Sequence, residues 1–253
     1  MKITKVTPWL VSAPAPYLDT ANDSHIRNRE YVYIEVNTDE GITGWGEITG
    51  TSPVANRSVC AAIRHVSDHI KGDDPRLIEM IWNKIFRSFT YMGSRGATTN
   101  IISGIDIALW DIAGKRANLP IHRLLGTARH QIPAYASSPT YPDIDTYIQE
   151  ALKFQQMGWS AYKIHPQGDP TVDIEISKKV REAVGPDMIL MLDCMWSYYY
   201  EDAVRVGRAI EELNYYWYED PLVEEDLYNY VKLNQKLDIP IMSTEYTPGR
   251  FYG

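Results

Sequence analysis

Alternation of apolar and polar positions dominates the first fifty residues and predicts three β-strands. The first alternates loosely over residues 2–11, and the second, YVYIEV at 31–36, is rich in β-favouring side chains. A turn signal, DEG at 39–41, separates it from a third strand over residues 42–48. The spacing predicts an antiparallel meander.

Helical periodicity follows the three strands. It predicts helices over residues 59–70, 77–89 and 100–117. The third has its apolar residues at i, i+4, i+7 and i+11, which places them on one face: Ile101, Ile105, Ala108 and Ile112. Because strands come first and helices second, residues 1–125 are predicted to form an α+β domain.

From residue 131 onwards, short apolar runs alternate with helical patterns. Five runs are predicted to be strands: 132–138, 161–166, 189–195, 215–221 and 239–246. Four amphipathic stretches between them carry apolar residues at helical spacing. Regular alternation of this kind indicates parallel strands joined by helical crossovers.

Two architectures use such units, the open doubly wound sheet and the (β/α)8 barrel. The open sheet commonly has a glycine-rich first turn for a nucleotide, and no GxGxxG or GxxxxGK[ST] pattern occurs here. Instead, ionisable residues recur near the carboxyl ends of the strands, with intervals of 30 residues (Lys163 to Asp193), 26 (Asp193 to Glu219) and 26 (Glu219 to Glu245). Barrel enzymes take their catalytic groups from these ends, so the pattern favours a barrel.

Asp193, Glu219 and Glu245 form the first candidate site. Carboxylates at consecutive strand ends of a barrel converge and repel one another unless a cation lies among them. Oxygen-only ligands suit a hard cation, and Mg²⁺ is the natural choice. The alternative for each carboxylate is a helix cap or a surface charge, and Asp220 and Asp226 are local competitors of the same type.

Lys163 and His165 form the second candidate site. They lie two positions apart on one predicted strand and therefore point to the same face. Beside Mg²⁺ the lysine pKa is expected to fall, so that either residue could move a proton. The alternative is a lysine that extends to solvent and a strand-end histidine. Together the two sets suit abstraction of the proton α to a carboxylate, a scheme in which Mg²⁺ stabilises the enediolate.

The sequence resembles the enolase superfamily, in the branch that includes mandelate racemase and the acid-sugar dehydratases. The similar segments are GITGWGEI at 41–48, SGIDIALWDIAGKRANLPIHRLLG at 103–126, AYKIHP at 161–166, and the LDCMW, YEDP and STE motifs. The resemblance implies an α+β capping domain at 1–125 and the first five strands of a metal-binding (β/α)8 barrel at 126–253. It also implies that Asp193, Glu219 and Glu245 bind Mg²⁺, that Lys163 neutralises the substrate carboxylate, and that His165 serves as acid or base.

Several features depart from the family pattern. Met195 stands where the family often has asparagine, and His165 stands in place of a second lysine. The family's substrate-selecting loops correspond to about 15–28 and 49–57. Within them Asp19, His25 and Arg27 are candidate substrate contacts, although a solvated role is the alternative. Only five of eight barrel strands are counted before Gly253, so the barrel is expected to be incomplete at its C-terminus, as a fragment or as a chain that a partner completes.

Composition narrows the class of protein. With 25 Lys and Arg against 33 Asp and Glu, the net charge of −8 argues against a nonspecific nucleic-acid binder. Two cysteines exclude a disulfide scaffold. No signal peptide or membrane-spanning run is read. We expect the protein to be cytoplasmic, to bind no nucleic acid or membrane, and to be a homo-oligomer when complete.

The sequence thus predicts a Mg²⁺-dependent lyase that dehydrates a sugar acid by removing the proton α to its carboxylate. A racemase or epimerase of a 2-hydroxy acid shares the first half of that reaction and stays open. An inactive fragment that only binds metal is the alternative from another class.

Overall fold

The computed structural model describes residues 1–14, 28–48, 53–91, 96–243 and 245. These residues divide into two compact units, and the boundary along the chain falls between His130 and Gln131. No helix among the described residues is long and apolar enough to cross a membrane.

The first unit opens with an antiparallel sheet, as the alternation predicts. Its strands, in the order β1-β2-β3, are β1 Ile3–Pro14, β2 Asn28–Thr38 and β3 Thr43–Ile48. One face of β2 forms the centre of the core, where Val32, Ile34 and Val36 have no exposed surface.

Four helices complete the described part of the first unit: α1 Pro53–Ile70, α2 Ile78–Ser88, α3 Ala97–Ala117 and α4 Ile121–Leu124. The prediction places the start of α1 six residues too late, because its first turn lacks the apolar periodicity. The end of α3 follows from local chemistry. Asn118 adopts a left-handed conformation with φ of 50°, and Pro120 follows, which cannot continue the helix.

Two glycines of the GITGWGEI segment let β3 lie directly against the backbone of α3. A side chain at Gly44 would overlap with the carbonyl oxygen of Ala108, and one at Gly46 would overlap with that of Gly104. A hydrogen bond of 2.8 Å from the Trp45 amide to Asp111 also joins β3 to α3. The close approach requires glycine at both positions.

The second unit alternates strands and helices, which confirms the predicted β/α architecture. The five strands within its described residues are parallel and follow one another in chain order. The elements are β4 Ala136–Ser137, α5 Ile144–Gln156, β5 Ala161–Ile164, α6 Pro170–Val184, β6 Ile189–Asp193, α7 Tyr200–Glu212, β7 Tyr218–Glu219, α8 Leu227–Lys236 and β8 Ile241–Met242.

In the second unit, α5, α6 and α8 begin with an aspartate side-chain cap, whereas α7 begins after Tyr199 without one. Asp143 accepts a hydrogen bond from the Thr146 amide at 2.8 Å, and Asp169 accepts one from the Thr171 amide at the same distance. Pro170 then occupies the first turn of α6, where a missing N–H has no consequence. These two caps mark where α5 and α6 begin after β4 and β5.

Candidate active site

Three charged side chains meet at the carboxyl ends of β5, β6 and β7. The parallel register places Asp193 level with Glu219. Lys163 Nζ lies 2.8 Å from Asp193 Oδ2 and 3.1 Å from Glu219 Oε1. The three residues are 8%, 1% and 8% exposed, so the ammonium group is held between two carboxylates away from bulk water. Charged groups this deeply buried require partners of opposite charge.

His165 joins the same cluster on the predicted face. Its Nε2 lies 2.9 Å from Asp193 Oδ2, the oxygen that Lys163 also contacts. Its Nδ1 lies 2.5 Å from the Ser138 carbonyl oxygen, and because a carbonyl only accepts, we infer that Nδ1 carries a proton. Nε2 is therefore the nitrogen that faces the carboxylates. The backbone is held too, since the Tyr147 hydroxyl donates to the His165 carbonyl at 2.7 Å.

Two aromatic residues that the sequence analysis missed support the cluster. Trp217 Nε1 donates to Glu219 Oε2 at 2.9 Å, which leaves Oε1 for Lys163. The Tyr135 ring packs edge-on against Trp217 with centroids 5.4 Å apart, and its centroid lies 5.7 Å from Lys163 Nζ. Trp217 could have been found from its position, because a residue two before Glu219 shares its face. Tyr135 could not, since it lies on a distant segment.

The charges of the cluster stabilise one another. Burial works to raise the pKa of Asp193, but hydrogen bonds and charges from His165 and Lys163 overcome burial and lower it. Burial works to lower the pKa of Lys163, and here the two carboxylates prevail and raise it. This direction is opposite to the sequence-based expectation, which assumed a divalent cation among the carboxylates.

Glu245 stands apart from the other predicted metal ligands. β8 ends at Met242, which is the residue in register with Glu219, and Glu245 lies three positions further on with an exposed side chain. Within the part of the chain that the structure describes, no group of three or more His, Cys, Asp or Glu side chains is arranged to hold a metal ion. The structure thus brings together four of the five predicted residues and does not bring Glu245 to them.

The remaining candidates have simpler outcomes. The predicted substrate contacts Asp19, His25 and Arg27 lie outside the described residues. Asp226, a competitor for a ligand role, is the N-cap of α8 and accepts from the Asn229 amide at 3.3 Å. Its carboxylate therefore has a structural role at the start of this helix.

The backbone is strained immediately after Asp193. Met195 and Trp196 have φ of 46° and 63°, in the left-handed region that glycine and asparagine adopt at low energetic cost. The Met195 amide donates to Asp193 Oδ1 at 3.2 Å, so the turn helps to orient the carboxylate. Strain of this kind clusters at functional sites.

Buried Tyr147 gives the site a predicted sensitivity to alkaline pH. Burial raises the pKa of Tyr147 to about 12, and its hydroxyl must stay protonated to donate to His165. Because the folded-state pKa exceeds the unfolded value near 10, this contribution is complete below pH 10 and is lost as the pH rises through about 12. We expect the stability advantage of the wild type over Tyr147→Phe to shrink by about 1 kcal/mol between pH 9 and pH 11. Urea unfolding at both pH values measures it. A Tyr216→Phe variant, at an exposed position, should show no such change.

Comparison with known families assigns both units. Residues 6–126 match the N-terminal domain of mandelate racemase and muconate lactonizing enzyme, and residues 146–252 match the enolase C-terminal domain-like family. The chain belongs to the enolase superfamily. This confirms the resemblance seen in the sequence, and the superfamily's barrel fold agrees with the parallel strands and helices of the second unit.

Among curated relatives, D-galactarolactone cycloisomerase of Agrobacterium fabrum is 33% identical over 99% of this enolase-superfamily chain and 67% of its own length. Arabinonate dehydratase of Saccharolobus solfataricus is 32% identical over 88% of the chain and 61% of its own length. The chain thus spans about two thirds or less of the relatives it matches. These relatives are dehydratases and cycloisomerases.

Solved structures support the same family assignment. The 3,6-anhydro-D-galactonate cycloisomerase of Zobellia galactanivorans superposes with a TM-score of 0.86 at 30% identity, over 97% of this chain and 66% of that one. An enolase from alpha proteobacterium bal199, solved with bound Mg, gives a TM-score of 0.87 at 28% identity, over 96% of this chain and 69% of that one.

Proposed function

We propose that this protein is a Mg²⁺-dependent lyase that dehydrates a sugar acid. The observation that carries the proposal is the convergence of Lys163, His165, Asp193 and Glu219 on one buried point at the carboxyl ends of the strands. Similarity to dehydratases such as arabinonate dehydratase and D-galactonate dehydratase supports an acid-sugar substrate.

The donor chemistry of the cluster fits a hard cation. Asp193 and Glu219 offer carboxylate oxygens side by side, and a positive group already bridges them. Mg²⁺ is commonly held by one or two carboxylates together with water and substrate oxygens, so two ligands are sufficient to begin a site. Glu245 remains the proposed third ligand. When bound, Mg²⁺ supplies positive charge that stabilises the charge developing on the substrate carboxylate.

The side chains of the chain supply binding and proton transfer. Lys163 presents a fixed ammonium group that attracts the substrate carboxylate. His165 has its Nδ1 proton committed to Ser138 and directs Nε2 at Asp193, so Nε2 is the atom that would return a proton to the substrate when it carries one and take the α-proton when it does not. Loss of the α-proton leaves an electron pair that forms the Cα–Cβ double bond as the β-hydroxyl departs. That hydroxyl takes up a proton and leaves as water, and the resulting enol converts to a 2-keto-3-deoxy acid.

Cycloisomerisation is the second candidate function. The 33% identity to a D-galactarolactone cycloisomerase and the structural match to an anhydrosugar-acid cycloisomerase favour it. Removal of an α-proton would begin that reaction too, so the same residues would serve both. Racemisation of a 2-hydroxy acid also shares this first step.

The decisive experiment follows the α-proton by NMR in D₂O with Mg²⁺ and a panel of aldonates and aldarates together with their lactones and anhydro derivatives. A 2-keto-3-deoxy product identifies a dehydratase, a ring-opened or rearranged isomer identifies a cycloisomerase, and exchange with inversion identifies a racemase. We expect Asp193→Asn to weaken Mg²⁺ binding at least about 100-fold by calorimetry. Asp187→Asn, an exposed change at the opposite end of the same strand, should bind normally. Tight Mg²⁺ binding without exchange on any sugar acid would contradict the enzymatic proposal and leave a metal-binding fragment.

A further inference from the structure

Asp173 is a buried carboxylate outside the predicted site, and it connects two loops of that site. Asp173 lies in the first turn of α6 and has no exposed surface. Its Oδ1 accepts from the Gln167 amide at 2.9 Å, and its Oδ2 accepts from the Gly168 amide at 3.0 Å and from the Tyr198 hydroxyl at 2.5 Å. Three donors on one carboxylate hold both of its oxygens in fixed directions.

The donors belong to the segments that follow the two central site residues. Gln167 and Gly168 lie in the His165 loop, defined as residues 165–169, and Tyr198 lies in the Asp193 loop, defined as residues 194–199. The loops touch at a second place, because a side-chain carbon on Gly168 would lie 3.2 Å from Ser197 Oγ. Asp173 therefore links the loop after the candidate proton carrier to the loop after the candidate metal ligand.

The His165 loop is also held on its other side, by the segment that follows β4. The His165 amide donates to Ser138 Oγ at 3.1 Å, and Thr140 Oγ1 donates to the Pro166 carbonyl at 3.3 Å. The orientation of the imidazole is thus set by a segment pinned at both ends. In this arrangement the ring contacts the Ser138 carbonyl and Asp193 at once.

We propose that Asp173 is a positioning residue that, through Tyr198, fixes the His165 loop against the Asp193 loop. In this role it keeps the His165 ring in the orientation that points Nε2 at Asp193. Asp173 touches none of the reacting groups and acts through the two loops alone. The importance of this orientation for catalysis rests on the proposed function, but the orientation itself can be measured without turnover.

The test observes the His165 ring by ¹H–¹⁵N NMR in the protein without added metal, with its signals assigned by their absence in His165→Gln. In the wild type we expect an Nδ1 proton protected from exchange with water, because it is donated to Ser138. Tyr198→Phe removes the hydroxyl that joins the Asp193 loop to Asp173, and Asp173→Asn places an amide donor against a donor. Both should speed exchange of that proton about tenfold or more, as expected when a charge-assisted hydrogen bond is lost.

Asp169→Ala is the matched control. Asp169 caps the same helix four residues earlier, and its loss weakens the start of α6 without removing a partner from Gln167, Gly168 or Tyr198. In Asp169→Ala, the exchange rate of the His165 Nδ1 proton should stay within about twofold of the wild-type rate, since the attachments of the His165 loop remain. Equal exchange in Tyr198→Phe and Asp169→Ala would overturn the proposal. If Asp173→Asn fails to fold, Tyr198→Phe decides the outcome alone. Absence of activity of the wild-type protein on every sugar acid would overturn the proposed function. It would leave the NMR measurement of the His165 ring unaffected.

Discussion

Replacement of Lys163 with methionine is expected to lower the free energy of unfolding by about 3 to 5 kcal/mol at neutral pH. Methionine fills a similar volume but leaves Asp193 and Glu219 adjacent, buried and without the ammonium group that lies 2.8 and 3.1 Å from them. Two like charges in that position repel, and the cheapest relief is to protonate one of them. The loss should therefore be smaller at pH 5 than at pH 8. Chemical denaturation followed by circular dichroism at the two pH values measures both effects.

Lys153→Met supplies the control for this result. Lys153 forms an exposed ion pair with Glu150 at 2.9 Å, and such pairs contribute less than about 1 kcal/mol. If Lys163→Met also lowered the free energy of unfolding by less than about 1 kcal/mol, the lysine would not be what holds the two carboxylates together. Added Mg²⁺ is expected to stabilise Lys153→Met only as much as it stabilises the wild type, and to restore a larger part of the stability of Lys163→Met, because there it also relieves the repulsion between the two carboxylates. Absence of that recovery would count against the metal proposal.

Alanine at Gly46 is expected to destabilise the first unit by about 3 kcal/mol, the upper end of the usual effect of overpacking. The new methyl group would overlap with the carbonyl oxygen of Gly104 and lie 3.1 Å from the Ala108 amide nitrogen. Both atoms belong to the backbone of α3, so no side-chain rotation can make room. The helix must move away from β3, which opens the core between them.

Gly114→Ala on the same helix separates this packing effect from helix propensity. Its methyl group would lie 3.1 Å from the Leu119 carbonyl oxygen and 3.2 Å from a flexible Ile121 side chain. A gain of about 1 kcal/mol in helix propensity offsets that tightness, so the net change should stay below about 1 kcal/mol. Thermal unfolding of both variants gives the comparison. Equal stability of Gly46→Ala and wild type would show that β3 does not need the close approach.

Side-chain periodicity was enough to predict much of the candidate site. Lys163 and His165 share a face because they lie two apart on a strand, and they do reach the same oxygen of Asp193. The partners from other segments were not predictable in this way. Ser138, Tyr147 and Asp173 act on the His165 loop from separate elements, and the sequence has no local pattern that relates them.

The lengths of the strands also could not be predicted from the sequence alone. The apolar runs at 215–221 and 239–246 predict strands of seven and eight residues, whereas β7 and β8 have two each. Apolar character reports burial, and around β7 burial continues beyond the strand as far as Leu222. Strand length requires a neighbour with matching hydrogen-bonding groups, and the neighbour is known only in the folded sheet.

By itself the sequence determined the order of strands and helices, the antiparallel meander, the β/α alternation and the face on which Lys163, His165, Asp193 and Glu219 lie. These features follow from local rules, namely side-chain spacing, turn residues and buried charge that needs a partner. Only the tertiary structure decided which atoms meet: the lysine between two carboxylates, the Trp217 hydrogen bond to Glu219, the Asp173 link between loops, and the separate position of Glu245. The reason is physical, because strand register and loop contacts join residues far apart in the chain and only packing fixes them.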